Sequence, residues 1–173
     1  MTDTDTSRRE ALTRFDFDDA PDLADTRMMS MPTLSEPSPP VETMLEWAQS
    51  KGHDVRVLYR SPGDDGMSLV WSWFGPNYAL PRHSHSADCL YYVVRGEAHL
   101  GNRVVGAGGG FFVPADARYA YTAGPDGIEI LEFRNATSFD MQITESPARW
   151  EKIVEGVREH AAGWEAAPEH HRV

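Results

Sequence analysis

Two histidines separated by a single serine, His83 and His85, precede the only cysteine of the chain, Cys89. In an extended segment the side chains at positions i and i+2 point to the same face, so both imidazoles can converge on one point. Neutral imidazoles are good ligands for zinc, iron, nickel or copper, and a cysteine binds such ions as its thiolate. The spacing therefore predicts a site for a metal ion or an organic ligand, with Cys89 as a candidate neighbour.

A strand is expected to position the end of this segment. Residues 89–95, CLYYVVR, are rich in β-forming side chains, and Gly96 after them predicts a turn. The even and odd positions of residues 90–94 form two faces of this strand, and neither face is polar. Strands covered on both sides show this pattern. We expect the cover to come from a C-terminal helix or from a second copy of the chain, and we favour the homodimer.

The other expected elements follow from local patterning. Alternation with a period of two predicts strands at residues 53–60 and 67–74. Short segments between turn-forming residues predict further strands at residues 97–100, 103–105, 111–113, 119–122 and 128–134, with a turn at residues 124–127. Many short strands without a long helix between them predict an all-β fold, either a sandwich or a small barrel. Helices are predicted at residues 41–50 and after Ser146, where Pro147 suits the first turn.

The length of 173 residues fits one domain with a flanking segment at each end. We expect residues 1–40 to form an acidic, partly disordered N-terminal arm, residues 41–165 to form the domain, and residues 166–173 to form a tail. Leu12, Phe15 and Phe17 offer apolar side chains for docking. The aspartates around them favour a solvated arm.

Composition restricts the partners and the compartment. A net charge of −11 argues against nucleic acid and anionic membranes as partners, because both would repel the chain. One cysteine excludes an internal disulfide and suits a reducing compartment. No apolar run approaches the ~20 residues that span a bilayer, and the N-terminus has no apolar signal core. We therefore expect a cytoplasmic protein that binds neither nucleic acid nor membranes; the candidate site at His83 and His85 favours a small-molecule ligand instead.

The segment from His83 to Gly96 resembles the first signature motif of the cupin family. In that family, two histidines flank one residue, a glutamate follows four residues later, and a glycine comes after six more. His83, His85 and Gly96 match this pattern, and Cys89 stands at the glutamate position.

The segment from Gly108 to Tyr119 resembles the second cupin motif. That motif consists of glycine, five residues, proline, one residue, glycine, two residues and histidine. Gly108 and Pro114 match it, whereas Asp116 stands for the second glycine and Tyr119 for the histidine. The glycine expected six residues before the first motif is Asn77, a residue type that tolerates left-handed backbone.

The resemblance implies a jelly-roll barrel, the cupin double-stranded β-helix, and a divalent transition metal such as Zn, Fe, Ni or Mn. Carried over by position, the metal ligands would be His83, His85, Cys89 and Tyr119. The missing glutamate and third histidine are also what a metal-free member would show. Three hypotheses remain open: a metal-dependent oxygenase, lyase or isomerase; a metal-free ligand-binding or sensory protein without catalysis; and a structural or partner-binding barrel.

Four aromatic side chains on the predicted strands are candidates for the wall of a ligand pocket: Trp71, Trp73, Tyr91 and Tyr121. If they line a cavity, they favour a flat or apolar small ligand with a few polar groups. The alternative is that they fill the core of the barrel, as aromatic residues of small barrels usually do.

Overall fold

The computed structural model describes residues 12–30, 32–34 and 39–165. Its elements, in chain order, are a 3-10 helix (Leu23–Asp25), β1 (Thr33–Leu34), α1 (Val41–Ala48), β2 (His53–Arg60), β3 (Ser68–Phe74), β4 (His83–Ser84), β5 (Cys89–Leu100), β6 (Arg103–Gly106), β7 (Gly110–Val113), β8 (Thr122–Arg134), β9 (Gln142–Ile143) and α2 (Pro147–Glu165). The predicted all-β fold with a short N-terminal helix and a C-terminal helix is confirmed. None of the helices in the described part of the chain has the length and apolarity to cross a membrane.

The strands form two sheets. The larger sheet has the order β2-β3-β8-β5-β6, with β7 also paired to β5, and all of its neighbours are antiparallel. The smaller sheet has the order β1-β9-β4. A backbone bridge between His83 and Tyr119 joins β4 to the segment that leads into β8. The two sheets, joined by this bridge, are compatible with the jelly-roll barrel that the resemblance implies.

Two strands run further than the sequence predicts. The predicted turns at Gly96 and at residues 124–127 are wrong, because β5 continues to Leu100 and β8 runs unbroken from Thr122 to Arg134. The pairing of β5 with β8 shifts register beside Gly96, and both Gly96 and Gly127 have left-handed backbone, with φ of 71° and 79°. A β-bulge at this point absorbs the shift in register, so the two long strands remain paired on both sides of it.

The backbone supports the alignment of the two motifs. The four positions that correspond to motif glycines all have positive φ: 59° at Asn77, 71° at Gly96, 82° at Gly108 and 63° at Asp116. Asparagine and aspartate are the side chains that enter this region most readily. The two departures from glycine therefore preserve the local backbone that the motif requires.

The described part of the N-terminal segment packs on the larger sheet, where the sequence predicts a solvated arm. The Phe17 ring meets Trp71 edge to face, with 4.9 Å between the ring centroids. Leu23 and Met28 are buried against Val57 and its neighbours. Asp16, Asp18, Asp19 and Asp25 stay exposed between these apolar side chains, so an acidic composition and a docked segment are compatible. Residues 1–11 of the predicted arm lie outside the described residues.

This packing predicts a cost for removing the Phe17 ring. Phe17→Ser is expected to lower the free energy of unfolding by about 1–2 kcal/mol, because an aromatic contact and buried apolar area are lost. Urea unfolding followed by circular dichroism measures the change. Leu12→Ser is the matched control, since Leu12 is largely exposed and its loss should change stability by less than about 0.5 kcal/mol. Equal effects of the two substitutions would show that the segment is not docked.

The C-terminal helix covers the smaller sheet. Ser146 Oγ accepts a hydrogen bond from the backbone N–H of Arg149 at 3.3 Å, so the predicted start of α2 is confirmed. Trp150 and Ile153 of this helix are buried beside Ile143. Because α2 packs on the smaller sheet, it does not cover the face of the larger sheet that points away from the smaller sheet.

Candidate functional site

Strand β4 and the residue after it direct two imidazoles into the interior. His83 and His85 are both buried, and their ring centroids are 4.9 Å apart. The Nδ1 atom of His83 lies 2.8 Å from the carbonyl oxygen of Pro81, and that of His85 lies 2.6 Å from the carbonyl oxygen of Asp140. A carbonyl only accepts hydrogen bonds, so Nδ1 carries the hydrogen on each ring. Nε2 of both rings therefore carries the lone pair.

The backbone bridge places Tyr119 opposite His83. Each residue donates its backbone N–H to the other's carbonyl at 2.9 Å, and the two ring centroids are 4.3 Å apart. The Tyr119 hydroxyl also makes a short hydrogen bond with the Tyr91 hydroxyl. Burial raises the pKa of both phenols. Tyr119 thus enters the site as a neutral hydroxyl that can donate and accept.

Two charged side chains of β8, which no sequence motif marks, complete the interior. Glu132 and Arg134 are both buried. Ser72 Oγ donates to one oxygen of Glu132 at 2.6 Å, and Arg134 Nη2 donates to the other at 2.5 Å. The available signal was their position, since they continue the inward alternation of Ile128 and Ile130 on the same strand.

Glu132 and Arg134 form an ion pair at neutral pH. Burial alone would raise the pKa of Glu132, but the positive charge of Arg134 and the hydrogen bond from Ser72 hold it below its ordinary value. Burial alone would lower the pKa of Arg134, but the Glu132 carboxylate raises it. The guanidinium carbon also lies 4.1 Å from the centre of the Phe139 ring. The arginine is consequently held in one orientation by two neighbours.

Cys89 faces the same interior. It is buried and lies directly opposite Arg134 in the ladder of β5 and β8, where cross-strand partners share a face. Burial raises the pKa of its thiol to about 12, while the charge of Arg134 opposes that rise. The thiol is therefore protonated at neutral pH, and it behaves as a small buried side chain.

Both imidazoles are neutral at pH 7. Burial lowers the pKa of His85 to about 4, with the charge of Arg134 and the neighbouring His83 acting in the same direction. Burial also lowers the pKa of His83. The site therefore contains one ion pair without net charge, two uncharged imidazoles, and protonated hydroxyl and thiol groups.

Six of the eight residues proposed from the sequence share this interior: His83, His85, Cys89, Tyr119, Tyr91 and Tyr121. Trp71 and Trp73 do not join them, because the alternation of β3 turns Ser72 inward and both tryptophans to the opposite face. Trp71 contacts Phe17 there. Trp73 lines a small cleft with Arg95 and Gly127.

A resident transition metal fits this donor set poorly. Within residues 12–30, 32–34 and 39–165, no group of three or more His, Cys, Asp or Glu side chains is arranged to hold a metal ion. Catalytic zinc usually has three protein ligands and a water. His83 and His85 supply two donors, and the Glu132 carboxylate already accepts hydrogen bonds from Ser72 and Arg134. The predicted divalent metal stays a prediction.

His99 does not provide a third imidazole. Its Nε2 atom lies 2.7 Å from a carboxylate oxygen of Glu97, and the side chain is partly exposed at the far end of β5. Asp88 is also directed elsewhere, since it accepts a hydrogen bond from the backbone N–H of Ala115 at 2.8 Å. His170 and His171 lie outside the described residues.

No protein-family model matches the chain, and no curated protein matches it. Among solved structures, it is similar to the polyketide cyclase RemF from Streptomyces resistomycificus, with 21% identity over 62% of this chain and 85% of that chain and a TM-score of 0.49. It is also similar to an RmlC-like cupin protein from Ralstonia eutropha, with 17% identity over 72% of this chain and 68% of that chain and a TM-score of 0.48. A mutant oxalate decarboxylase OxdC from Bacillus subtilis shows 19% identity over 53% of this chain but only 29% of its own length, with a TM-score of 0.45. All three TM-scores are below 0.5, so the functional assignment depends on the side chains of this chain.

Proposed function

We propose that this chain is a cupin that binds a small organic molecule at its interior polar cluster, formed by His83, His85, Tyr119 and Arg134. In this proposal the two imidazoles act as hydrogen-bond acceptors and not as metal ligands. The position of both motifs, the left-handed backbone at their glycine positions and the shared interior of the six predicted residues support it.

The observation that carries the proposal is the hydrogen bonding of Arg134. Its Nη2 donates to Glu132, but its Nε and Nη1 are buried and donate to no oxygen of the described residues. A buried donor without an acceptor costs about 1–3 kcal/mol, and more when it is charged. Buried groups of this kind occur at functional sites, where a bound molecule supplies the acceptor. The Arg134 donors thus favour a ligand oxygen at this position.

The surrounding groups define the chemical class of the ligand. Arg134 offers donors to a carbonyl or carboxylate oxygen, and the Nε2 lone pairs of His83 and His85 accept from a hydroxyl. Tyr91 and Phe111 stack with 4.6 Å between their ring centroids and place flat apolar surface beside Tyr119. Because the site has no net charge, an uncharged hydroxy-ketone is less costly to desolvate there than a multiply charged acid.

A metal-dependent oxygenase, lyase or isomerase is the second candidate. The observation that favours it is the anchoring of both Nδ1 atoms by backbone carbonyls, which is how metal-ligating histidines are usually oriented. The missing third donor places this hypothesis second.

Calorimetry with 2-hydroxyacetophenone, a small flat hydroxy-ketone, tests the first candidate. We expect binding that weakens at least tenfold in Arg134→Lys, because lysine keeps a charge beside Glu132 but lacks the Nε and Nη1 donors. Arg95→Lys is the matched control, since Arg95 is largely exposed and outside the cluster. Acetophenone, which lacks the hydroxyl, should bind more weakly than the hydroxy-ketone in every variant.

Three results would contradict the proposal. If neither ketone binds, the free donors of Arg134 are hydrogen-bonded to water and do not recognise a ligand of this class. Equal binding in wild type and Arg134→Lys would place the ligand elsewhere. Elemental analysis that finds a stoichiometric metal in the wild type, lost in His83→Asn and His85→Asn, would favour the second candidate.

A further inference from the structure

The ligand site has two polar sides, and the residue that contacts both of them lies outside strands β4 and β8. Phe139 is buried between the end of β8 and the start of β9. The guanidinium carbon of Arg134 lies 4.1 Å from the centre of its ring, and the centroid of the His85 ring lies 5.2 Å from that centre. The next residue, Asp140, accepts the hydrogen of His85 Nδ1 through its backbone carbonyl. The position of Phe139 and Asp140 therefore determines the orientation of both polar groups.

The N-terminal segment, residues 12–30, holds Phe139 through its backbone. The Phe139 N–H donates to the Met28 carbonyl at 3.0 Å, and the Phe139 carbonyl accepts from the N–H of Ser30, also at 3.0 Å. Both backbone polar groups of Phe139 are thus bonded to the segment. The pairing continues further along the chain, where β1 runs parallel to β9.

Side-chain packing joins the same two parts of the chain. Met28 is fully buried, and it belongs to one apolar cluster with Phe139, Leu23 and Ala87. The Phe139 ring therefore connects this cluster with the guanidinium of Arg134. Protein interiors are close-packed, so a displacement of Met28 is transmitted to the ring.

A single hydrogen bond does not fix the orientation of a guanidinium. Nη2 of Arg134 donates to Glu132, and rotation about this contact would redirect Nε and Nη1, the two donors that the proposed ligand requires. Contact with an aromatic face restricts that rotation, because the guanidinium is planar. The Phe139 ring supplies this second constraint, and the N-terminal segment fixes the position of the ring.

We propose that the N-terminal segment is a positioning element of the ligand site, which acts through Phe139 and Asp140 on Arg134 and His85. Its effect on binding rests on the proposed function, whereas its effect on the orientation of Arg134 is a property of the protein without ligand. When the segment undocks, the Phe139 ring is released and the guanidinium turns, so affinity falls although every group that contacts the ligand is still present. A segment that only covers apolar surface would contribute stability and leave the affinity unchanged.

Two substitutions at one exposed position separate these roles. Ser30→Pro removes the N–H that donates to the Phe139 carbonyl, whereas Ser30→Ala keeps it. Calorimetry with 2-hydroxyacetophenone should show affinity that is about fivefold weaker in Ser30→Pro and within about twofold of the wild type in Ser30→Ala. Ile153→Val controls for a general loss of stability, because Ile153 is buried in α2. This variant should bind the ketone as the wild type does.

NMR of the arginine Nε–H groups without ligand gives a readout that stability alone does not change. We expect the buried Arg134 Nε–H to exchange slowly with water and to be shifted upfield by the Phe139 ring. Ser30→Pro should reduce this upfield shift and speed the exchange, whereas Ser30→Ala should leave both unchanged. Arg134→Lys identifies the signal, since lysine has no such group.

An Arg134 signal in folded Ser30→Pro that equals that of the wild type would overturn the inference, whether or not the ketone binds. Equal ketone affinities in Ser30→Pro and Ser30→Ala would overturn it as well. If the wild type binds no ketone, the proposed function fails and the NMR comparison alone decides the inference. Circular dichroism establishes whether Ser30→Pro is folded. If it is not, Met28→Ala, which removes the packing and keeps the backbone hydrogen bonds, is judged by the same two readouts.

Discussion

Replacing Arg134 by methionine is expected to lower the free energy of unfolding by about 3–5 kcal/mol at pH 7. The Glu132 carboxylate would remain buried, with Ser72 as its remaining donor at 2.6 Å. Methionine occupies a similar space without a charge, so the cost arises from the unpaired carboxylate and not from a large cavity. Urea unfolding at pH 7 measures the loss.

The loss should depend on pH with a definite sign. In the wild type, Arg134 holds the pKa of Glu132 below its ordinary value of 4.5, so the ionised pair stabilises the fold above that pH and is lost as the pH falls further. Without Arg134, burial raises the pKa of Glu132 above the value in the unfolded chain. Protonation then relieves the penalty, and the difference between variant and wild type shrinks as the pH falls from 7 towards 4.

The double variant with Glu132→Gln and Arg134→Met provides the control. It removes both charges while glutamine keeps an acceptor for Ser72, so we expect it to be more stable than Arg134→Met alone. A single Arg134→Met variant that costs less than about 1 kcal/mol would show that the carboxylate reaches water and that the interior is more open than described.

The elements predicted from the sequence are those whose signals are local. The strand at residues 53–60 follows from alternation, and the start of α2 follows from Ser146 and Pro147. Gly96 and residues 124–127 have the composition of turns, but the pairing of β5 with β8 keeps both segments in strands. That pairing joins residues far apart in the chain, so a short stretch of sequence that is inspected by itself does not reveal it.

The same distinction applies to the site. Motif spacing is local, so the sequence alone predicts His83, His85 and Tyr119 as site residues. Glu132 and Arg134 acquire their role only when β8 lies between β3 and β5 and buries them on both sides. The more apolar face of β3, with Leu69, Trp71 and Trp73, predicts the interior, but it lies outside, where Phe17 packs on Trp71. The interior face carries Ser72, because the interior of this protein is polar at Glu132.

Substituting asparagine for His85 is expected to flatten the acid dependence of stability. In the wild type, burial lowers the pKa of His85 to about 4, from its ordinary 6.5. Above pH 6.5 the imidazole is neutral in both the folded and the unfolded chain, so it does not change the free energy of unfolding with pH. Below it, the unfolded chain binds the proton first, so the free energy of unfolding falls by about 2 kcal/mol between pH 7 and pH 5 and by about 3 kcal/mol by pH 4.

Asparagine keeps the hydrogen bond to the Asp140 carbonyl through its Nδ2 and does not titrate, so His85→Asn should lose about 2 kcal/mol less than the wild type between pH 7 and pH 5. His83 contributes a fall of the same sign in both proteins. Urea unfolding at the two pH values gives the difference, with His99→Asn as a control at a partly exposed imidazole beside Glu97. An unchanged pH dependence in His85→Asn would mean that the folded protein accepts the proton as readily as the unfolded chain. An imidazole of that kind would be solvated and charged in acid, and it would not be the buried neutral acceptor that the proposed ligand site requires.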